Sequence, residues 1–147
     1  MELAQALHAL VGELDAAAEE LVQAEFGVTH SQLGFLMPLL REGDLDVSSL
    51  AASNRVSIAA VSKRIAWFVD RGLVRAAHPS GDAKRVVLSL TPRGRRLAED
   101  ASARLASGLD DLLGSWPANR RRAFHELVLE VTGTLRTNRA QATQESA

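Results

Sequence analysis

Apolar positions recur every three or four residues from Leu3 through Leu7, Leu10, Leu14, Ala18 and Leu21, while Glu13, Asp15, Glu19 and Glu20 fall largely on other faces. This spacing predicts one long amphipathic helix, which Phe26-Gly27 ends. Thr29-His30-Ser31-Gln32 has the form of a capping box, in which a threonine and the glutamine three residues on satisfy each other's free backbone N–H groups. It opens a second helix through Leu33, Leu36 and Leu40 that Gly43 closes. Pro38 lies inside that helix, where a proline costs about 3 kcal/mol, so a kink or an early break is expected there.

A short extended piece follows around Leu45 to Val47. Ser48 to Ser53 reads as a brief helix, Asn54 to Val56 as a turn, and Ser57 to Arg71 as a longer helix, which is helix-turn-helix spacing. In the longer helix Val61, Ile65, Phe68 and Val69 form an inward stripe, leaving Ala59, Ala60, Ser62, Lys63 and Arg64 pointing mainly elsewhere. Gly72 supplies a left-handed stop, and Leu73-Val74-Arg75 begins a strand. The turn formers of His78-Pro79-Ser80-Gly81-Asp82 make a hairpin tip, and Arg85 to Leu90, β-branched and apolar, makes the return strand.

Thr91-Pro92 is a cap followed by proline at the first helical position, after which Leu97, Ala101, Leu105, Leu109 and Leu112 mark one face of a long helix. Trp116-Pro117 interrupts it, with Trp116 as a hydrophobic clasp at the next helix start. A last helix carries Phe124, Leu127, Val128, Val131 and Leu135, and residues 137–147 read as a polar, disordered tail.

At 147 residues, 46% hydrophobic and 24% charged, the chain is long and apolar enough for one globular domain. No apolar run approaches the roughly 20 residues that cross a bilayer, and the start MELAQALHAL lacks the basic region of a secretion signal, so a cytoplasmic protein without a membrane partner is expected. The absence of cysteine removes disulfides, zinc-thiolate sites and thiol redox sensing. Four histidines, His8, His30, His78 and His125, are scattered with no metal-site pair on one helix, so surface or network roles are expected, with no metal and no cofactor. There is no glycine-rich phosphate loop and no serine or carboxylate pair in a recognisable setting, so no catalytic residue is assigned and no enzyme is expected.

Charge changes the picture more than composition does. The net charge is only −1, but ten basic and two acidic residues fall between Ser53 and Arg96, giving that segment +8 and the remainder −9. A polyanion would meet the middle third of the chain. Helix, helix, turn, helix and basic hairpin, in this order, is the layout of a winged helix: a helix fits the B-DNA major groove, and a basic hairpin reaches the adjacent minor groove.

These residues resemble the multiple-antibiotic-resistance regulator (MarR) family of bacterial transcription factors over nearly the whole chain. The resemblance rests on Leu50-Ala51, Val56-Ser57, Val61-Ser62-Lys63, Arg71-Gly72-Leu73-Val74 and, above all, Asp82 to Leu90 leading into Thr91-Pro92-Arg93-Gly94. It implies a mainly α fold with a small β-hairpin wing, a winged helix-turn-helix (29–91) set in a helical dimerisation frame (1–27 and 92–136). It implies that the helix from Ser57 enters the major groove, with Ser57, Ala59, Ala60, Ser62, Lys63 and Arg64 as the facing positions. Asp82 and Lys84 fall on the family's wing aspartate and arginine, the arginine entering the minor groove and the aspartate bracing it. With Arg55, Arg75 and Arg85 these make up the expected DNA-binding set.

The pattern departs from the family in two places. Lys84 replaces the wing arginine and Arg85 follows it, so the contact falls to either one; lysine is a point charge without arginine's flat fork. Arg55 stands where the family usually has glycine, and because Asn54 tolerates the left-handed conformation, the turn is expected to shift by one residue.

The resemblance further implies a homodimer, with Leu3, Leu7, Leu14, Leu112, Phe124, Leu127 and Val131 as interface candidates, and a roughly palindromic double-stranded operator. It also implies a repressor released by a small-molecule effector. Trp67 lies off the inward stripe and either lines an effector pocket or packs against a neighbouring helix. Arg93, Arg95 and Arg96 open a helix beside the wing, where phosphate contact is one of two uses. Arg120-Arg121-Arg122 oppose a helix dipole and read as a solvated face or an inter-subunit salt bridge. From another class, the alternative is a winged-helix protein-interaction or architectural module without sequence readout.

Overall fold

Local sequence signals account for most element ends. The computed structural model describes residues 2–145, in the order α1 (Glu2–Phe26), α2 (His30–Glu42), β1 (Leu45–Asp46), α3 (Val47–Asn54), α4 (Ile58–Asp70), β2 (Val74–Ala77), β3 (Val87–Leu90), α5 (Pro92–Leu112) and α6 (Ala118–Glu145). Residues 1–106 and 107–147 form two compact units, the boundary falling within α5. The fold is mostly helical with a three-stranded antiparallel sheet in the order β1-β3-β2, the architecture of a winged helix.

The Thr29 capping box forms as its sequence requires: Thr29 Oγ1 accepts from the Gln32 N–H at 3.0 Å, and the Thr29 N–H donates to Gln32 Oε1 at 2.8 Å. Glu19 of α1 accepts from the next amide, His30 N–H, at 2.7 Å, so an acidic side chain closes the positive end of α2. Pro38 does not end α2 early, since the helix continues to Glu42. The missing N–H deprives only the Gly34 carbonyl of its partner, and the proline ring is fully buried, which offsets part of that loss.

Fifteen apolar side chains make the core of the first unit, among them Val22, Leu36, Leu39, Leu50, Val61, Leu73, Val74 and Leu88. Phe35 of α2 stacks on Phe68 of α4 with ring centroids 4.1 Å apart, tying the first helix of the winged motif to its last. Truncating either ring costs about 3–5 kcal/mol. Val69 is 40% exposed and does not join the inward stripe; Val61 and Phe68 are buried and Ile65 half-buried, because 100° per residue carries position 69 past the core.

The base of the wing depends on two residues of the Thr91-Pro92-Arg93-Gly94 run. Thr91 Oγ1 donates to the Gly72 carbonyl at 2.6 Å and accepts from the Gly94 N–H at 3.0 Å, so one hydroxyl caps α5 and ties it to the end of α4. A Cβ on Gly94 would lie 1.9 Å from the Leu73 carbonyl oxygen, so only glycine lets α5 start this close to the strand. β3 then pairs with both neighbours, Ala76 and Leu45 each opposite Leu88. It begins at Val87 rather than at Arg85, because the two residues before it belong to the wing loop.

In the second unit Trp116 and Phe124 meet edge to face at 5.7 Å, with the Arg120 guanidinium 4.3 Å above the indole, so Trp116 is the clasp expected at the start of α6. The expected disordered tail is instead the end of α6, which runs to Glu145. Thr137 to Gln144 contains no glycine or proline, and its Ala, Gln and Arg are sound helix formers; Thr137 and Thr143 return their hydroxyls to the carbonyls four residues back. Ser146 and Ala147 lie outside the described residues.

Candidate nucleic-acid interface

The turn between α3 and α4 sets the angle of the helix-turn-helix. Arg55 adopts the left-handed conformation (φ 55°, ψ 40°), and among the described residues it is the sole non-glycine at positive φ. The turn therefore does not shift to Asn54. Asn54 ends α3 as an ordinary helical residue, and Arg55 takes the position that strain reserves for glycine, at about 1 kcal/mol. Its N–H donates to the Ala52 carbonyl at 3.1 Å, and that of Val56 to Ala51 at 3.0 Å, which closes α3 and leaves the guanidinium exposed.

Ser57 caps α4, its Oγ accepting from the Ala60 N–H at 3.1 Å. Ala59, Ser62 and Lys63 are exposed and Ala60 half-buried, so small side chains and one cation line the outer face of α4. Arg64 is different. Its Nη2 donates to Ser31 Oγ at 2.7 Å, so the guanidinium braces α4 against the start of α2. No local sequence signal pairs residues this distant along the chain.

The wing separates Lys84 from Arg85. Asp82 Oδ1 accepts the backbone N–H of Lys84 at 3.0 Å and of Arg85 at 3.1 Å, so the aspartate braces the loop's backbone, where the resemblance implies a brace on the side chain. Across the loop, His78 Nδ1 lies 3.0 Å from the Arg85 carbonyl, to which it donates as the Nδ1–H tautomer. Arg85 Nε then lies 3.4 Å from Asp46 Oδ2, clasping the wing to the α3 N-cap.

Asp46 is doubly used, its Oδ1 accepting from the Ser49 N–H at 2.8 Å. The Ser49 backbone N–H above all, then the Ser49 hydroxyl and the Arg85 charge, hold its carboxyl below the ordinary aspartate range. Lys84 is exposed and has no ion pair among the described residues. Arg75 is exposed on β2, opposite Ser89.

Between wing and α4 lies an open cavity of about 330 Å³ lined by Asp46, Val47, Ser48, Ile58, Ser62, Lys84, Arg85 and Val86. Ile58 is the residue that sequence reasoning missed. Helical spacing puts it on the Val61–Ile65–Phe68 stripe, but it is 55% exposed, because it is the first residue of α4 and lies ahead of Val61, where the helix meets the core.

Trp67 packs half-buried against the core, edge-on to Phe68, with the Arg71 guanidinium 3.9 Å over its ring. Arg95 pairs with Glu99 at 3.9 Å, and Arg93 and Arg96 are exposed. Of the interface candidates, Leu3, Leu7, Leu14, Leu112, Leu127 and Val131 are exposed and Phe124 is half-buried against Trp116.

No model of a known family matches the chain. The transcriptional regulator AdcR of Streptococcus pneumoniae is 33% identical over 106 residues, covering 67% of this chain and 72% of that regulator. A MarR family protein from Bacillus stearothermophilus superposes with a TM-score of 0.81 at 22% identity, over 91% of this chain and 93% of the other. The PcaV transcriptional regulator of Streptomyces coelicolor, in complex with its natural ligand, superposes at 0.67 and 22% identity, over 90% and 96%. At such identities the solved structures speak for the fold, which they share with about nine-tenths of this chain.

Proposed function

The chain belongs to the MarR family of DNA-binding transcriptional regulators, and from that premise we propose that it acts in the cytoplasm as a homodimeric repressor on a roughly palindromic operator. In this reading α4 of each subunit enters the major groove and the wing the adjacent minor groove, with half-sites about one helical turn apart. The observation that carries it is the set of exposed cations on the winged surface that make no ion pair among the described residues: Arg55 at the turn, Lys63 on α4, Arg75 on β2 and Lys84 at the wing. They belong to the +8 segment of a chain whose remainder is negative. Lys84 rather than Arg85 makes the wing contact in this reading, since Arg85 is engaged by Asp46.

Dimerisation through the terminal helices is supported by their exposed apolar side chains, including Leu3, Leu7, Leu112, Leu127 and Val131. Relief by a small molecule rests on likeness to the ligand-bound PcaV, and Trp67 stays a candidate for that pocket.

Selection from random duplexes tests the proposal. Enrichment of an inverted repeat is the expected result, and a flat outcome favours the architectural module. On the enriched duplex, Lys63→Ala and Lys84→Ala each lower the slope of log affinity against log salt by about one. Unchanged slopes in both would remove this surface from DNA binding.

A further inference from the structure

The first turn of α4 is unusually poor in groups that form hydrogen bonds with bases. The Ser57 oxygen already accepts from the Ala60 amide, Ala59 and Ala60 carry only methyl groups, and the Arg64 guanidinium is drawn back toward α2 by its bond to Ser31. Lys63, one turn further on, is a point charge without the fork that reads guanine in bidentate fashion. What this turn does present is hydrocarbon: Ile58 at its first position, 55% exposed, beside exposed Ala59. Ser62, four residues on, and Lys84 of the wing border the same cavity as Ile58, so the isoleucine shares that opening with the helix face and the wing cation.

The residues at the start of a recognition helix are those that meet base edges. The major groove offers one apolar feature to such a surface, the C5-methyl of thymine, which no other standard base carries. We propose that Ile58, with Ala59 beside it, is a specificity-determining contact that reads the methyl group of a thymine in each operator half-site. This rests on the DNA-binding reading above and adds the chemistry of its readout: discrimination at that base pair comes from burying hydrocarbon, while the cations around it hold phosphates. The basic surface draws the duplex in, and the isoleucine, unable to satisfy a polar base edge, favours thymine over cytosine, whose corresponding edge has an amino group and no methyl.

The test uses the full-length protein and the duplex enriched by selection, resynthesised with deoxyuridine replacing each thymine in turn, which deletes the methyl and nothing else. One thymine per half-site is expected to show a loss of about fourfold, and both together about fifteenfold, as for burial of methyl-sized groups. Ile58→Ala should bind the thymine duplex with a similar loss, show no further loss with deoxyuridine, and keep the wild-type salt dependence. Ile58→Val should restore the discrimination.

Equal affinity of the wild type for thymine and deoxyuridine at every position overturns the inference while leaving the regulator reading intact, and that scan requires no variant to fold. Undiminished deoxyuridine sensitivity in Ile58→Ala also overturns it. Failure to enrich any duplex overturns the regulator reading itself, and the inference with it.

Discussion

Helices α4 and α6 both carry apolar stripes, yet they use them differently. α4 buries Val61 and Phe68, and the ring of Phe68 stacks on Phe35. α6 is more than twice as long and carries Phe124, Leu127, Val128, Val131 and Leu135, but none of its described residues is buried. The contrast separates a segment that folds upon itself from one whose hydrocarbon remains to be covered. In the proposed dimer a second copy covers it, whereas the winged segment requires only its own chain.

The largest expected effect breaks the second half of that comparison. Leu127→Asp with Val131→Asp should convert the dimer to a monomer in sedimentation equilibrium. Loss of two-site binding should lower operator affinity by about a hundredfold or more. A dimer that survives both charges would show that α6 is not the interface.

Gly94→Ala strikes the self-sufficient half, because the added methyl collides with the Leu73 carbonyl. A loss of about 3 kcal/mol is expected, seen as a fall of about 6–12 °C in the thermal midpoint.

Arg55→Gly sharpens the comparison by separating folding from binding within the winged segment. Removing the left-handed strain should stabilise the fold by about 1 kcal/mol, while losing one phosphate contact lowers the salt slope by about one. A variant that gains stability and keeps the slope would confine Arg55 to the turn.

The smallest effect concerns the Asp46–Arg85 clasp. Asparagine also caps helices, so Asp46→Asn removes the ion pair and keeps the cap. Because the folded carboxyl titrates below its unfolded value near about 3.9, its contribution is present above that value and lost as pH falls through the lower folded one. Wild type and variant should differ slightly in thermal midpoint at neutral pH and converge in acid. A constant difference across that range would mean that the carboxylate's charge contributes nothing, either to the cap at Ser49 or to the clasp with Arg85.

Much of the fold was legible because its signals are local. The Thr29 capping box, the Thr91 cap, the glycine after α4 and the period of each apolar stripe act within a few residues, and each element they announce is present. Charge segregation likewise needs only a count along the chain. The site was legible as a set of positions, but less so as a set of roles. Arg64, Lys63 and Arg85 are all exposed or half-exposed cations of the same segment, and nothing nearby in sequence tells which is free.

The sequence alone determined the order of elements, their caps and the location of positive charge, since each depends on neighbours within one or two turns. Only the tertiary structure decided that Arg64 turns to Ser31, that Arg85 is held by Asp46 while Lys84 has no ion pair among the described residues, and that Ile58 stands outside the core its spacing suggests. A side chain's direction is settled by whichever partner the fold brings within about 3 Å, and those partners lie tens of residues away along the chain.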